Sequence, residues 1–293
     1  MRDPRCAAIA ERLATPLRVA VSGRAGVGRS TVAKALARAG SLAVTTGSDA
    51  DLHVYVIAEV VKPEDRVAIG AVTRPVLTVL TKADLIATTE AGRYPQGPTS
   101  AARTRCRQLS DRTGLSIEPL VGILAVATLD DELWTGLRAL ADGRVTEVQE
   151  RLVQELDLFG IAQATAAIRL GATRTEVIAL LRRLSCIDDV VHAIEVLGAQ
   201  VRYQRVLDAV ADLETLAVTD PRVGEFLCSD DTVVARMMAA VDIVEARGIP
   251  VYRGDTADAH LRRAMQWRQD KSLAGSDIVR GSLRLWAEVG GTV

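Results

Sequence analysis

Lysine is nearly missing from this chain: Lys34, Lys62, Lys82 and Lys271 are all it has, against a large excess of arginine. The bias is the mark of a GC-rich genome and carries no mechanism. Aromatic residues make up 3% of the sequence, so alanine, valine and leucine must fill whatever core forms. The four cysteines, Cys6, Cys106, Cys186 and Cys228, lie far apart with no Cys-x-x-Cys or Cys/His cluster. That spacing excludes a zinc framework and a disulfide scaffold and leaves buried free thiols. Charge of one sign is also lacking: the formal net charge is −1 over 293 residues, which gives no electrostatic case for nucleic acid. No apolar run approaches the roughly 18 residues of a membrane span, and Met1-Arg2-Asp3-Pro4-Arg5 lacks the apolar region of a secretory leader. A cytoplasmic protein is expected.

What is present is ordinary globular content, 48% hydrophobic and 25% charged, in a chain with room for two domains. Strand and helix signals alternate through about residue 141, the order of a mostly parallel sheet with helices on both faces. Expected elements include a strand at Leu52–Ala58, a short helix over Arg66–Val72, a strand within Val76–Leu85, a helix over Thr99–Arg112 and another over Asp130–Leu140. After Gly143 the period changes. Val145, Val148, Leu152 and Leu156 recur at helical spacing, as do Val177, Leu180, Leu181 and Leu184, then Val201, Val206, Val210, Leu213 and Leu216. The fold class is therefore an α/β domain over residues 1–143 followed by an all-helical bundle over 144–293. Thr173 to Glu176 has the spacing of a capping box, and Ser229 to Thr232 carries helix-start chemistry.

One stretch carries chemistry. Leu17, Val19, Ala20 and Val21 form a short apolar run suited to a buried strand; Ser22-Gly23-Arg24-Ala25-Gly26-Val27-Gly28-Arg29-Ser30-Thr31 follows, and then good helix material from Val32 to Ala37. The pattern Gly-x-x-x-x-Gly-Lys-[Ser/Thr] lets the backbone curl so that successive N–H groups point into one concavity at the positive end of a helix. Here Gly23 and Gly28 are the defining pair and Gly26 adds freedom, while Val27 and Thr31 complete the cradle. Ser30 stands where a hydroxyl would ligate Mg2+, and Arg29 occupies the lysine position. Guanidinium keeps the charge of lysine but not its compact geometry.

A second stretch, Val76 to Leu85, reads as a buried strand ending in Thr81-Lys82-Ala83-Asp84. Taken alone, Asp84 suits a helix cap. Together with the phosphate loop, the chain resembles the P-loop GTPases of the translation-factor-like and dynamin-like types. Their base-reading motif is Asn-Lys-x-Asp or Thr-Lys-x-Asp. An aspartate offers two acceptors to the ring N–H and exocyclic amine of guanine, and a lysine stem can lie along the base. The resemblance implies GTP or GDP as ligand, with Thr81, Lys82 and Asp84 at the base. It also implies a last strand over Leu115–Ala127 that brings backbone of Ala125 and Val126 to the guanine oxygen.

Against that family, much is missing. Only about forty residues separate the first helix from Thr81, where two switch segments normally fit. Val44-Thr45-Thr46-Gly47 resembles a worn Asp-Thr-Pro-Gly with Val44 in the aspartate position. Asp49 and Asp51 are nearby carboxylates but read more economically as a solvated turn. His53 falls inside a strand. No catalytic residue recommends itself. Phosphoryl transfer depends on positioning and charge stabilisation, so the expectation is a degenerate, guanine-nucleotide-binding regulatory or assembly module with weak or absent hydrolysis. Such a module acts through its helical half, with a protein partner that is a homologous GTPase or a second copy. The alternatives are an active dynamin-like GTPase completed by dimerisation at a membrane, though no broad basic or apolar inserting stretch supports peripheral contact, and a nucleotide-free scaffold. The Gly/Pro-rich loop Ala91–Pro98 is an exposed excursion beside the base site, and Asp255–Val293, with Arg262, Arg263, Arg268, Lys271, Arg280, Arg284, Trp267 and Trp286, is the best partner-facing segment.

Overall fold

The structure is a computed structural model that describes residues 4–46, 49–89 and 98–290. Its elements run α1 (Pro4–Ala14), β1 (Leu17–Gly23), α2 (Arg29–Ala39), β2 (Leu42–Thr45), β3 (Leu52–Ala58), α3 (Pro63–Gly70), β4 (Val76–Thr81), α4 (Ala83–Thr89), α5 (Pro98–Thr113) and β5 (Ile117–Leu120). Then come α6 (Gly122–Val126), α7 (Asp131–Ala141), α8 (Gln149–Arg169), α9 (Arg174–Ser185), α10 (Ile187–Ala217), α11 (Pro221–Cys228), α12 (Asp230–Ala246), α13 (Ala257–Trp267) and α14 (Leu273–Glu288). The expected class is observed: an N-terminal α/β domain with a parallel sheet, then a largely helical region. The chain separates into two compact units, 16–194 and 1–15 with 195–293, and the division falls within α10.

In the first unit the five strands are all parallel in the order β2-β1-β3-β4-β5. Leu17 pairs with Leu42, Val21 with Val54, Ile57 with Leu80, and Leu80 with Pro119. Leu52, Val54, Val56, Ile57, Leu77, Val79 and Leu80 are all fully buried, the near-continuous apolar run of strands covered on two faces. On one face Tyr55, Ile57 and Leu80 pack with Ile69 of α3 and Cys106 and Leu109 of α5. Because β1 connects to β2 on one side and the chain then crosses to β3, β4 and β5 on the other, right-handed crossovers put α2 on the opposite face.

The last strand is shorter than the sequence implies. It ends at Leu120, and Gly122–Val126 turns into α6, with the N–H groups of Leu124 and Ala125 bonded to the carbonyl of Val121. The N–H of Val121 leaves the ladder for the carbonyl of Ser185, which ends the pairing. The apolar stretch from Val121 to Ala127 thus serves a helix end, a distinction that an unbroken hydrophobic run does not encode.

Helices α8 and α9 belong to the unit that contains the sheet. Leu152 and Leu156 of α8 and Val177 and Leu181 of α9 share one core with Leu124, Leu133 and Leu137. Val145, the first residue of the helical stripe, lies before α8 and is exposed. The capping box is present as read: Thr173 N–H donates to Glu176 Oε2 at 2.7 Å, and Glu176 N–H to Thr173 Oγ1 at 3.4 Å. Ser229 likewise caps α12.

The second unit has its own core. Met237, Ala240, Val241 and Val244 of α12 meet Trp267 of α13 and Ile278 of α14, while Ile9 of α1 packs with Ala209 and Leu216 of α10. Trp267 and Arg263, two residues of the segment expected to face a partner, are buried in this core. Arg263 donates through Nε to Ser282 Oγ at 2.9 Å, through Nη1 to the Tyr252 carbonyl at 2.9 Å and through Nη2 to His260 Nδ1 at 2.8 Å. An arginine only donates, so His260 Nδ1 accepts and the ring is neutral. Burial first, and the Arg263 charge second, hold the imidazole below its ordinary pKa.

Two outcomes follow from this packing. Leu152→Ala should cost about 2–5 kcal/mol, and amide exchange should accelerate in α6, α7 and α9 as well as in α8, because those elements share a core; acceleration confined to α8 would contradict the shared core. Stability contributed by neutral His260 is complete above the ordinary imidazole pKa of about 6.5 and is lost as pH falls through the lower folded value. Urea titrations between pH 4 and 7.5 should show that loss, and His260→Gln, which keeps an acceptor, should flatten it.

Candidate functional site

The chain leaves β1 at Gly23, whose φ is +143°, and a Cβ there would lie 2.5 Å from the carbonyl oxygen of Val56 in β3. Only glycine permits that approach. Gly26 and Gly28 follow with φ of +80° and +91°. Gly28 precedes α2 without any side-chain cap, and the first helical bond runs from the Val32 N–H to the Gly28 carbonyl at 3.0 Å. The N–H groups of Arg29, Ser30 and Thr31 therefore lack intrahelical acceptors. This uncapped helix start stands at the carboxyl end of β1, which lies between β2 and β3 where the direction of winding reverses. Open parallel sheets of this order bind ligands at that position.

Charge around the loop is divided unequally. Arg24 Nε lies 2.8 Å from Asp65 Oδ1, Tyr55 donates its hydroxyl to the same oxygen at 3.0 Å, and the N–H of Lys62 donates to Asp65 Oδ2 at 2.8 Å. Asp65 is fully buried. Burial works to raise its pKa, but the Lys62 N–H, Arg24 and Tyr55 together hold the carboxyl below the usual range. Arg24 is thus committed to α3. Arg29 and Ser30 are exposed in the first turn of α2.

A cavity of about 340 Å³ joins the end of this loop to the end of β4. Val27, Gly28 and Thr31 line one side, Thr81, Lys82 and Asp84 another, and Val121, Gly122 and Ile123 close it. Thr81 Oγ1 holds the two halves together, 2.7 Å from the Val27 carbonyl and 3.0 Å from that of Ile57. Lys82 adopts φ +55° and is exposed. Asp84 is 8% exposed, and among the described residues its carboxylate has only its own backbone N–H as a hydrogen-bond partner. Burial first, and the charge of Asp157 after it, push this carboxyl above its ordinary pKa, with the Asp84 N–H and Lys82 opposing. A buried carboxylate whose one described donor is its own N–H keeps acceptor capacity for a donor that arrives from outside.

The residues expected from sequence are placed as follows. Val27, Gly28, Thr31, Thr81, Lys82 and Asp84 meet in the cavity; Gly23, Gly26, Arg29 and Ser30 form the adjoining loop and helix start. Ala125 and Val126 lie in α6 and do not line the cavity, where the backbone at 121–123 stands instead. Asp51 is buried at the opposite, amino-terminal end of the strands, where it accepts from the Arg18 N–H at 2.8 Å. Val44 pairs with Val19 in mid-strand, before the loop begins. The loop over 91–97, and Gly47, lie outside the described residues. Asp157, which also lines the cavity, has no local signal in the sequence, because Leu156-Asp157-Leu158 reads as an ordinary turn of helix.

For Mg2+, the ligand expected from the sequence is the Ser30 hydroxyl in the first turn of α2, and no group of three or more His, Cys, Asp or Glu side chains suited to a metal ion occurs among the described residues. Among the described residues no helix is long and apolar enough to cross a membrane. Comparison with known proteins finds no matching family model and no curated protein of similar sequence.

The Asp65 cluster has a direct consequence for acid stability. A carboxyl whose folded pKa is depressed contributes stability that is present above its unfolded pKa, about 3.9, and lost as pH falls through the folded value. Asp65→Asn should remove that acid-side loss in urea titrations between pH 2 and 6 and lower stability at pH 7; an unchanged acid limb would show that Asp65 does not carry it.

Proposed function

We propose that the chain is a guanine-nucleotide-binding module of the P-loop GTPase kind with weak or absent hydrolysis. The observation that carries this reading is the shared cavity: backbone from the end of a glycine-rich loop and a buried, donor-seeking aspartate after β4 line one space of about 340 Å³. The loop and the uncapped start of α2 suit a phosphate chain. Asp84 suits the N–H edge of guanine and opposes adenine, whose corresponding edge presents an acceptor. Lys82 is positioned in sequence to cover the base with its stem, and Thr81 serves as the brace between loop and base motif.

Arg29 is the phosphate cation in this reading, because Arg24 is paired with Asp65. Its forked, planar head is a poor substitute for an ammonium that must sit between two phosphates. Mg2+ would rest on Ser30 and the nucleotide's own oxygens, with no cluster of three or more acidic, His or Cys side chains among the described residues to organise it. Both points favour binding over turnover. A regulatory or assembly role through the helical region, with a protein partner, follows from the same reading.

Calorimetry on the full chain should therefore show GDP and GTP binding in preference to ATP. Gly28→Val, which forces a branched side chain into φ +91°, should abolish binding. Asp84→Ala should weaken GDP by about 1–3 kcal/mol, or roughly 5- to 150-fold, without affecting ATP. A preference for ATP, or GDP affinity indifferent to Asp84, would defeat the guanine assignment.

A further inference from the structure

Helix α8 is not continuous. At Asp157 the backbone takes φ 57° and ψ 172°, a region that is essentially reserved for glycine. The break is held from both sides: Leu156 is fully buried, and a Cβ at Gly160 would come within 2.6 Å of Leu124 Cδ2, so the helix cannot slide to relieve it. Asp157 is no glycine, and it stands at the wall of the cavity that already contains Asp84. Its Oδ1 accepts from the N–H of Leu158 at 2.6 Å. Backbone strain and a second negative charge are thus concentrated on one residue beside a buried, donor-seeking carboxylate. Glycine would remove both costs at the loss of that one local bond.

Guanine supplies a reason. Its recognition edge presents one ring N–H and an exocyclic amine with two N–H bonds, three donors in all. A single carboxylate can take the ring N–H and one amine proton in parallel, which leaves the other amine proton without an acceptor. We infer that Asp157 is a second acceptor at the base, positioned to take that remaining amine proton, so that occupancy of the base site is felt directly by α8. The inference rests on the guanine reading of the cavity and extends it: the 2-amino group is the specificity determinant, and α8 is the first helical element to register it. The strain at Asp157 is maintained because it delivers a carboxylate where regular helix would not.

The test uses calorimetry of the full chain with GDP and with inosine diphosphate, which lacks the 2-amino group, on wild type, Asp157→Ala and Asp157→Gly. Wild type should prefer GDP, and both variants should lower that preference by about tenfold or more, through weaker GDP binding with inosine diphosphate affinity unchanged. Asp157→Gly should also melt at a higher temperature than wild type, which separates lost recognition from misfolding. A wild type that binds both nucleotides equally, or variants that keep the wild-type preference, would overturn the role of Asp157 and leave the nucleotide reading standing. A wild type that binds neither nucleotide would overturn both.

Discussion

The Thr81 hydroxyl is the contact on which the site depends. It sits 2.7 Å from the carbonyl of Val27 and 3.0 Å from that of Ile57, and so ties the glycine-rich loop after β1 to the ends of β3 and β4. Thr81 is itself buried, where an unsatisfied hydroxyl would be costly. The bond therefore fixes the spacing between the uncapped start of α2 and the Asp84 carboxylate. With the approach of Gly23 to the Val56 carbonyl on the other side of the loop, it makes a cavity out of what would otherwise be two unrelated turns.

Charge around that cavity is divided between the glycine-rich loop and the recess. Two arginines occur in the loop region, but Arg24 is bound to a buried carboxylate that also receives the Tyr55 hydroxyl and caps α3. The pair binds loop to scaffold, and only Arg29 remains exposed at the helix start. On the other side of the cavity the balance is negative. Asp84 is buried and Asp157 approaches it from α8. Arg29 thus sits at the mouth of the loop and two carboxylates against one lysine in the recess, the polarity that a ligand with an anionic tail and a donor-rich ring would match.

Packing gives the helices after the sheet two different fates. Leu152, Leu156, Val177 and Leu181 complete a core begun by Leu124, Leu133 and Leu137, and α8 and α9 fall in the compact unit that holds the sheet. The remaining helices close around Met237, Val241, Trp267 and Ile278. The change of hydrophobic period after Gly143 marks where strands stop, which is a different boundary from the one between compact units, because a helix can bury its stripe against a sheet unit as readily as against other helices.

Much of this is legible in the order of the residues. The strand at 52–58, the strand at 76–81, the capping box at Thr173 and the turn at Gly23–Gly28 are local events, set by periodicity, by hydrogen bonds three residues apart and by glycine's tolerance of positive φ. Other features are not. An apolar run at 121–127 reads equally as strand or helix until the Ser185 carbonyl captures the Val121 N–H. Asp51 reads as a turn residue near the phosphate loop, yet parallel strands put it at the far end of the sheet. Trp267 and Arg263 look like a contact surface and are core. By itself the sequence determined the α/β-then-helical class and the geometry of the glycine-rich turn, since both follow from interactions between near neighbours. Only the tertiary structure decided that Asp157 joins Asp84, because their meeting depends on how α8 packs against α6 and α7, beside a residue more than seventy positions earlier in the chain.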